Sequence, residues 1–252
     1  MAKFWKKAAV AAGVLAFWLL VWQWAAVSIY KELIVASPVA VARSLISLVP
    51  TAEFWQTVAG SVLRIMLGYL LGVLLGAVLA VLTSLCGVLR ALFSPLLAVV
   101  RATPVASFII LAWVWMTTGT IPVFIAMLMV IPIVWGNMVQ GIAAVPQELR
   151  EVCEVFRFDW KQKLRHLYLP AIRPYFAAAV TTSLGLAWKA GVAAEVLCRP
   201  DMSIGDAIYR AKITIETPDL FAWTLVVIAL SMVLEWAVKR LLHGKRGKRI
   251  AA

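Results

Sequence analysis

The segment TVAGSVLRIMLGYLLGVLLGAVLAVL, residues 57–82, contains a single charged side chain, Arg64. An α-helix rises about 1.5 Å per residue, so about 20 such residues cross the ~30 Å apolar core of a bilayer. Inside that core the backbone must satisfy its own hydrogen bonds, and no ten-residue stretches of alternating hydrophobicity suggest a barrel. The segment therefore predicts a transmembrane α-helix.

The same pattern recurs along the chain, which is 63% hydrophobic and only 14% charged, with a mean hydropathy of +0.93. An average soluble domain has roughly 45–50% apolar and about 25% charged residues. We therefore predict an all-α, polytopic membrane protein with about six transmembrane helices, forming one domain over residues 1–252. The predicted spans are residues 8–28, 57–82, 91–116, 121–144, 174–197 and 219–240.

Basic residues decide the predicted orientation, because Lys and Arg accumulate in cytoplasmic loops. An N-terminus inside the cell places most of the basic residues on one face: Lys3, Lys6, Lys7, Arg90, Arg101, the cluster from Arg150 to Arg173 and the basic tail 239–252. Both termini are then cytoplasmic. Topology and contact with anionic headgroups explain the net charge of +12, so nucleic acid is not an expected partner.

The chemistry-bearing side chains do not form a catalytic or metal-binding pattern. Cys86, Cys153 and Cys198 fall in three separate regions, which suggests neither a disulfide framework nor a metal site. His166 and His243 lie outside the predicted spans, and no phosphate loop of the GxxxxGK[ST] form occurs. We therefore expect no enzyme activity and no cofactor in this chain.

The longest polar stretch, residues 146–173, lies between two predicted spans. Four of its apolar residues recur at helical spacing and share one face: Leu149, Val152, Cys153 and Phe156. A second segment, residues 160–169, is predicted to stop at Pro170, because proline ends a helix. The stretch therefore predicts a helix–turn–helix element, which can lie on the headgroups, pack under its own bundle or dock into a soluble partner.

This stretch resembles the cytoplasmic coupling loop of ATP-binding-cassette (ABC) importer permeases, which starts Glu-Ala-Ala, has Gly six positions after the Glu and ends Ile-x-Leu-Pro. Glu151-Val152-Cys153 opens the match, Leu167-Tyr168-Leu169-Pro170 closes it, and Arg157 replaces the usual Gly, a residue suited to the turn. The resemblance assigns coupling to the ATPase to eight residues: Glu151, Val152, Cys153, Glu154, Phe156, Arg157, Leu169 and Pro170.

The rest of the chain is similar to permeases of the nitrate, sulfonate and taurine type. The motifs that carry this similarity are spread over residues 36–240 in the expected order: Ala36-Ser37-Pro38, Ser61-Val62-Leu63-Arg64 with Gly68, Arg101-Ala102-Thr103-Pro104, Trp188 with Ala194-Glu195, and Ser203-Ile204-Gly205.

The resemblance implies the type I importer architecture in a bacterial plasma membrane. Two permease chains form the pore, two cytoplasmic ATPase subunits hold ATP and Mg, and an extracytoplasmic binding protein delivers the solute. That solute would be a small anion such as nitrate or a sulfonate, or a small vitamin-like molecule. The second permease is either another copy or a related chain whose loop has the Gly. The alternative is a passive channel or a secondary transporter, although secondary transporters usually show internal repeats.

Ionisable residues within the predicted spans are the second signal, because they usually face protein or a water-filled cavity. Arg64, Lys189 and Glu195 are the candidates, whereas Glu235 lies near a helix end. Lys189 and Glu195 are six residues apart and therefore lie on different sides of one helix. Arg64 and Glu195 are a candidate interhelical pair. Lys189 is either structural or faces the pore, where it would attract an anionic solute.

Glycine and proline predict how the spans pack and bend. Gly68, Gly72 and Gly76 form a ridge of small residues that lets helix backbones approach closely, with a hinge or a dimer seam as alternatives. Prolines can break or kink the third and fourth spans. They are Pro104, Pro122 and Pro132, and a position at a helix end explains Pro122 equally well.

Overall fold

A computed structural model of the chain describes residues 2–28 and 34–243, and within them it contains helices and no strand. The predicted all-α class is confirmed. The helices are α1 (Ala2–Ser28), α2 (Pro38–Leu48), α3 (Ala52–Leu85), α4 (Gly87–Ala102), α5 (Val105–Trp113), α6 (Ile121–Ala143), α7 (Gln147–Val155), α8 (Trp160–Lys163), α9 (Leu169–Cys198), α10 (Ile204–Ile213) and α11 (Thr217–His243), with a π-helical turn at Leu164–Tyr168. Residues 244–252 of the predicted basic tail and the side chains of Lys3, Lys6 and Lys7 lie outside the described part.

Four helices of the described part are long and apolar enough to cross a membrane, and they confirm the polytopic prediction. They are α3, α6, the continuous helix from Trp160 to Cys198, and α11. A fifth crossing is available if the bent pair α4 and α5 counts as one span. The predicted span 8–28 lies within α1 (Ala2–Ser28).

The glycine ridge of α3 packs directly on α6. A Cβ atom at Gly68 would overlap the carbonyl oxygen of Val123, and one at Gly72 would lie 2.7 Å from the Cβ atom of Val130. At Gly76 the nearest atom, the carbonyl oxygen of Ile131, would be 2.9 Å away. Real side chains do not tolerate such contacts, so the ridge serves close helix packing, as predicted.

The third predicted span, 91–116, is not a continuous helix. It is divided into α4 and α5, which meet at an angle of 103°. Thr103 is extended, with φ −82° and ψ 133°, because the ring of Pro104 disfavours the helical conformation of the preceding residue. The break that Pro104 was predicted to allow is thus confirmed, and residues 91–116 do not form the one helix that their apolar character predicted.

The predicted helix end at Pro170 is also wrong. The helix that starts at Trp160 continues through the π-helical turn into α9. In this turn the N–H of Leu169 donates to the carbonyl oxygen of Leu164, five residues earlier. A π-helical turn is wider than an α-helical one, and Pro170 has no N–H to place in the regular hydrogen-bond pattern, so the chain passes the proline without a break.

The two other prolines belong to α6, which is one helix from Ile121 to Ala143, so neither of them breaks the fourth predicted span. Pro122 is in the first turn of α6, where the missing N–H costs nothing, and Pro132 is inside that helix.

Two short helices were not predicted, α2 and α10. Each begins at a serine whose hydroxyl accepts a backbone hydrogen bond: Ser37 from Ala40 at 3.2 Å and Ser203 from Asp206 at 3.1 Å. Ser44 of α2 donates to Asp219 at the start of α11, with a distance of 2.6 Å. These helices lie with the first turns of α3 and α11 at one end of the bundle, which we call the α10 end.

Candidate functional site

A compact hairpin formed by α7, α8 and the turn between them lies at the opposite end of the bundle. Helix α7 ends in a Schellman motif, in which Arg157 N–H donates to Glu154 and Phe158 N–H donates to Cys153, at 3.0 and 2.8 Å. This motif requires a left-handed residue, and Arg157 occupies that position with φ 50°. The geometry explains why a glycine is suited to this position, since glycine adopts positive φ without steric cost.

The hairpin has its own small apolar core. Cys153 is only 6% exposed and packs with Val145 and Leu167, against which Phe158 and Tyr168 also lie. Helix α8 is fixed by a capping box: Asp159 accepts from the N–H of Gln162 at 2.7 Å, and the Gln162 side chain accepts from the N–H of Asp159 at 2.9 Å. The hairpin is therefore a defined structure, not a flexible loop.

The outer face of α7 leaves apolar side chains uncovered in the described chain. Of the four residues predicted to share one face, only Cys153 is buried, while Leu149, Val152 and Phe156 are exposed, Phe156 by 70%. Glu151 and Glu154 are also exposed, and Gln147 donates to the Glu151 carboxylate at 3.0 Å. Cys153 is thus the member of the predicted coupling set that cannot offer a surface contact.

Of the remaining residues of the predicted coupling set, Arg157 lies in the turn of the hairpin, whereas Leu169 and Pro170 begin α9. Arg157, Leu169 and Pro170 are all exposed.

A buried carboxylate lies near the α10 end of the bundle. Glu195 of α9 is 0% exposed, and its Oε2 accepts from the hydroxyl of Ser61 at 2.6 Å and from the N–H of Gly205 at 3.3 Å. The nearest guanidinium nitrogen of Arg64 lies 3.7 Å from Oε1, which has no hydrogen-bond partner. The predicted interhelical pair of Arg64 and Glu195 is therefore present.

Arg64 also holds the loop between α9 and α10. Its guanidinium donates to the carbonyl oxygens of Asp201 and Met202, at 2.6 and 3.0 Å. A Cβ atom at Gly205 would overlap the Cβ atom of Glu195, so glycine is required for this loop to approach α9. The cluster therefore has a structural role, because each hydrogen bond or ion pair of Arg64 and Glu195 connects two different segments of the chain.

A second set of charges lies beyond this loop. Asp206 accepts hydrogen bonds from Arg199 at 2.9 Å and from Arg210 at 2.6 Å. The hydrogen bond from Arg210 to the Asp206 carboxylate raises the pKa of the Arg210 guanidinium, which therefore stays charged. The guanidinium of Arg199 also stacks over the ring of Tyr209, 4.3 Å from its centroid.

Lys189 and Glu195 lie on different sides of α9, as predicted. Lys189 is exposed, with the exposed residues Thr182 and Leu186 on the same face, whereas Glu195 is buried. Among the described residues no hydrogen bond or ion pair to Lys189 is found.

Arg101 is a charge whose contact with α6 was not predicted, since the sequence placed it on the cytoplasmic face. It is the penultimate residue of α4, at the 103° bend, and its guanidinium donates to the carbonyl oxygen of Pro132 in the middle of α6. Its carbon Cζ lies 5.8 Å from the centroid of the Trp135 ring. The signal that could have found it is Pro104, because a break there leaves Arg101 at the bend between α4 and α5.

Helical spans, a broken third span and a structured hairpin between α6 and α9 define a polytopic membrane protein of the permease class. The family model for the binding-protein-dependent transport system inner membrane component matches residues 72–247, and the chain belongs to this family.

Curated relatives are permeases of anion transport systems. The bicarbonate transport system permease protein CmpB of Synechococcus elongatus is 25% identical over 72% of this chain and 66% of its own length, just under two thirds. The nitrate import permease protein NrtB of the same species is 30% identical over 60% of this chain and 54% of its own. The taurine transport system permease protein TauC of Escherichia coli is 24% identical over 91% and 86%.

Solved ABC transporters share the fold. A chain of the MetNI methionine transporter superposes with a TM-score of 0.57 at 15% identity, over 75% of this chain and 93% of that one. A chain of a bacterial alginate importer gives 0.59 at 16% identity, over 98% and 100%. At these identities the likeness shows the fold alone.

Proposed function

We propose that this chain is the pore-forming subunit of an ABC importer, driven by two cytoplasmic ATP-binding subunits that carry ATP and Mg. The observation that supports the proposal is the exposed face of α7, where Leu149, Val152 and Phe156 stand beside the carboxylates of Glu151 and Glu154. An apolar patch with acidic residues around it is typical of a protein docking surface. A helix in this position fits a surface groove of an ATPase subunit.

The hairpin is built to transmit a displacement. The Schellman motif and the capping box fix α7 relative to α8, and α8 continues through the π-helical turn into α9 without a break. A force on α7 therefore reaches a helix that crosses the whole bundle. Coupling needs such a rigid connection between two discrete arrangements.

The distribution of charge supports a cytoplasmic position for the hairpin. Its end of the bundle is rich in basic residues, among them Arg150, Lys161, Lys163 and Arg165. The α10 end instead has mixed charge, with acidic and basic residues side by side: Glu53, Glu216 and Asp219 with Arg199, Arg210 and Lys212. The rule that Lys and Arg accumulate inside then orients both termini to the cytoplasm.

We infer that a second copy of this chain completes the pore and that a small anion is the cargo. Arg157 already adopts the left-handed conformation that the turn requires, so the hairpin does not need a partner permease with Gly at this position. The relatives named for bicarbonate, nitrate, aliphatic sulfonates and taurine support an anionic or acid-containing solute. An extracytoplasmic binding protein would deliver it.

The test starts from the genes that flank the one for this chain: an ATPase and a binding protein found there are co-expressed with it, and the complex is reconstituted in proteoliposomes. We expect one permease sequence, a co-purifying ATPase and uptake that requires ATP. A cysteine at Phe156 should cross-link to the ATPase, whereas one at Ile215, exposed at the α10 end, should not. Uptake that proceeds without an ATPase would favour a passive channel or a secondary transporter and overturn the proposal.

Glu151→Ala tests the coupling residue directly. We expect ATP-driven uptake to fall by about tenfold, the effect of losing one charge-assisted contact, with the complex still assembled. Glu216→Ala, at the α10 end, is the matched control and should leave uptake unchanged. Uptake at the wild-type rate in Glu151→Ala would remove this residue from the coupling contact.

A further inference from the structure

Two cationic side chains, Arg101 and Lys189, lie within the membrane-crossing part of the bundle and are exposed in the single chain. We propose that they are successive contact points for a small anion along the translocation path. The proposal rests on the function proposed above and identifies the cargo as an oxyanion that carries a carboxylate, sulfonate or nitrate-like group.

Arg101 lies at mid-depth. Its guanidinium contacts Pro132, the middle residue of α6, and lies against Gly136 one turn further on. Either end of α6 is about 16 Å away at the helical rise of 1.5 Å per residue. A bilayer core is about 30 Å thick, so this charge is far from both headgroup layers.

Lys189 lies nearer the α10 end but still within the span. Its neighbour Gly191 packs against Ile65 of α3, while Gly76 of α3 packs beside Ile131 and Val134, at the level of Arg101. Counting residues along α3 places Lys189 on the order of 10 Å from Arg101 along the bundle axis. An anion moving through the bundle would therefore meet the two cations one after the other.

Neither cation has a carboxylate to neutralise it among the described residues. The crossing helices contain four carboxylates in their described residues: Glu53 and Asp219 lie in the first turns of α3 and α11, Glu195 pairs with Arg64 at 3.7 Å, and Glu235 pairs with Lys239 at 3.2 Å. An unpaired cation near the bilayer centre costs roughly 2.5–3.5 kcal/mol on insertion scales. Such charges usually face protein or a water-filled cavity, and the proposal places both side chains on the water-filled path, where a passing anion supplies the missing negative charge.

A purely structural role explains only part of the Arg101 geometry. Its bond to Pro132 and its position over Trp135 attach the bent span to α6. A guanidinium has five N–H donors, and this attachment leaves several of them for a ligand. Among the described residues Lys189 makes no hydrogen bond or ion pair that would indicate a structural role. It is therefore the more decisive residue for a test.

The test uses the complete complex in proteoliposomes, with three labelled probes: nitrate, bicarbonate and methanesulfonate. The variants are Lys189→Gln and Arg101→Gln, with Lys189→Arg and Arg101→Lys as charge-conserving partners. Arg90→Gln, an exposed arginine of α4 that lies on neither the hairpin nor the α10 end, is the control. Basal ATPase activity and co-purification report assembly independently of uptake.

We expect uptake of at least one probe by the wild type, a loss of about tenfold in each glutamine variant and near wild-type uptake in the charge-conserving variants and the control. Wild-type uptake in Lys189→Gln would overturn the inference, as would equal losses in Lys189→Gln and Lys189→Arg. If the complex takes up a neutral solute but none of the three probes, the inference is also overturned, although the proposed importer function stands. Absence of any ATP-driven uptake by the wild type would instead overturn the proposed function.

Discussion

At the scale of single residues, backbone conformation explains the main departure of this chain from its family pattern. Arg157 has φ 50° in the turn that closes α7, where the family pattern has glycine. For an L-residue with a side chain the left-handed conformation costs roughly 1–2 kcal/mol. The hydrogen bonds of the Schellman motif and the small core around Cys153 offset this cost.

Arg157→Gly should therefore make the hairpin more stable, by up to about 1 kcal/mol, because glycine removes the steric cost of positive φ. Hydrogen exchange of the α7 amides, followed by mass spectrometry, measures the change as slower exchange. Arg150→Gly is the matched control: it places glycine inside α7 and should speed exchange, since glycine costs about 1 kcal/mol in a helix interior. Faster exchange in Arg157→Gly would contradict the explanation.

Glu195→Ala should destabilise the α10 end. It removes the acceptor for Ser61 and Gly205 and leaves Arg64 without its counter-ion. Breaking a buried pair by removing one partner costs about 3–5 kcal/mol, and the partial exposure of Arg64 reduces this to about 2–3. Thermal unfolding in detergent measures the loss.

Glu235→Ala, on an exposed pair with Lys239, should change the unfolding temperature little and serves as the control. An unfolding temperature of Glu195→Ala equal to that of the wild type would show that the cluster contributes nothing to stability.

At the scale of helices, close packing and irregular turns carry the architecture. The ridge on α3 brings its backbone against α6, and without a hydrophobic driving force between helices in lipid such packing is a main source of association. Two prolines that were both expected to interrupt a helix, Pro104 and Pro170, have opposite effects. The first ends a helix, whereas the second is accommodated within one.

Gly72→Ala should weaken the contact of α3 with α6, because the added Cβ atom would lie 2.7 Å from the Cβ atom of Val130. Overpacking of this kind costs about 1–3 kcal/mol, measured as a lower unfolding temperature of the purified chain. Gly13→Ala in α1 is the matched control, since no atom lies within 4 Å of the added methyl group. An equal or smaller effect at Gly72 than at Gly13 would show that the ridge is not an interface.

At the scale of the whole molecule, the bundle has two chemically different ends. The hairpin end has an excess of basic residues and an apolar patch. The α10 end contains the Arg64–Glu195 cluster and has acidic and basic residues side by side. The proposed function uses this asymmetry, because it places the ATPase at the hairpin end.

Cysteine labelling should reveal this orientation in the chain expressed without its partners. In a variant without Cys86, Cys153 and Cys198, Ile215→Cys should react with a membrane-impermeant maleimide in spheroplasts. Val155→Cys, on the hairpin, should react only after the membrane is permeabilised. Labelling of Val155→Cys in sealed spheroplasts would place the hairpin outside and refute the coupling role.

The sequence by itself determined the class of fold, four of the crossings and the nature of the hairpin. Long apolar stretches can only be helices in lipid, and the spacing of Gly68, Gly72 and Gly76 predicts a packing face because both are local properties of the chain. The pairing of Arg64 with Glu195 was also predictable, since few partners exist for a charge within a span.

Only the tertiary structure decided which charges remain unpaired and which apolar residues are covered. Arg101 was predicted on the cytoplasmic face, but it contacts the middle of α6. The reason is the angle of 103° between α4 and α5, which a proline permits but does not specify. Cys153 turned inward while Val152 and Phe156 stayed outside, because the packing of Leu167 and Val145 selects one side of α7. Such choices depend on contacts between residues distant in sequence, which local patterns do not encode.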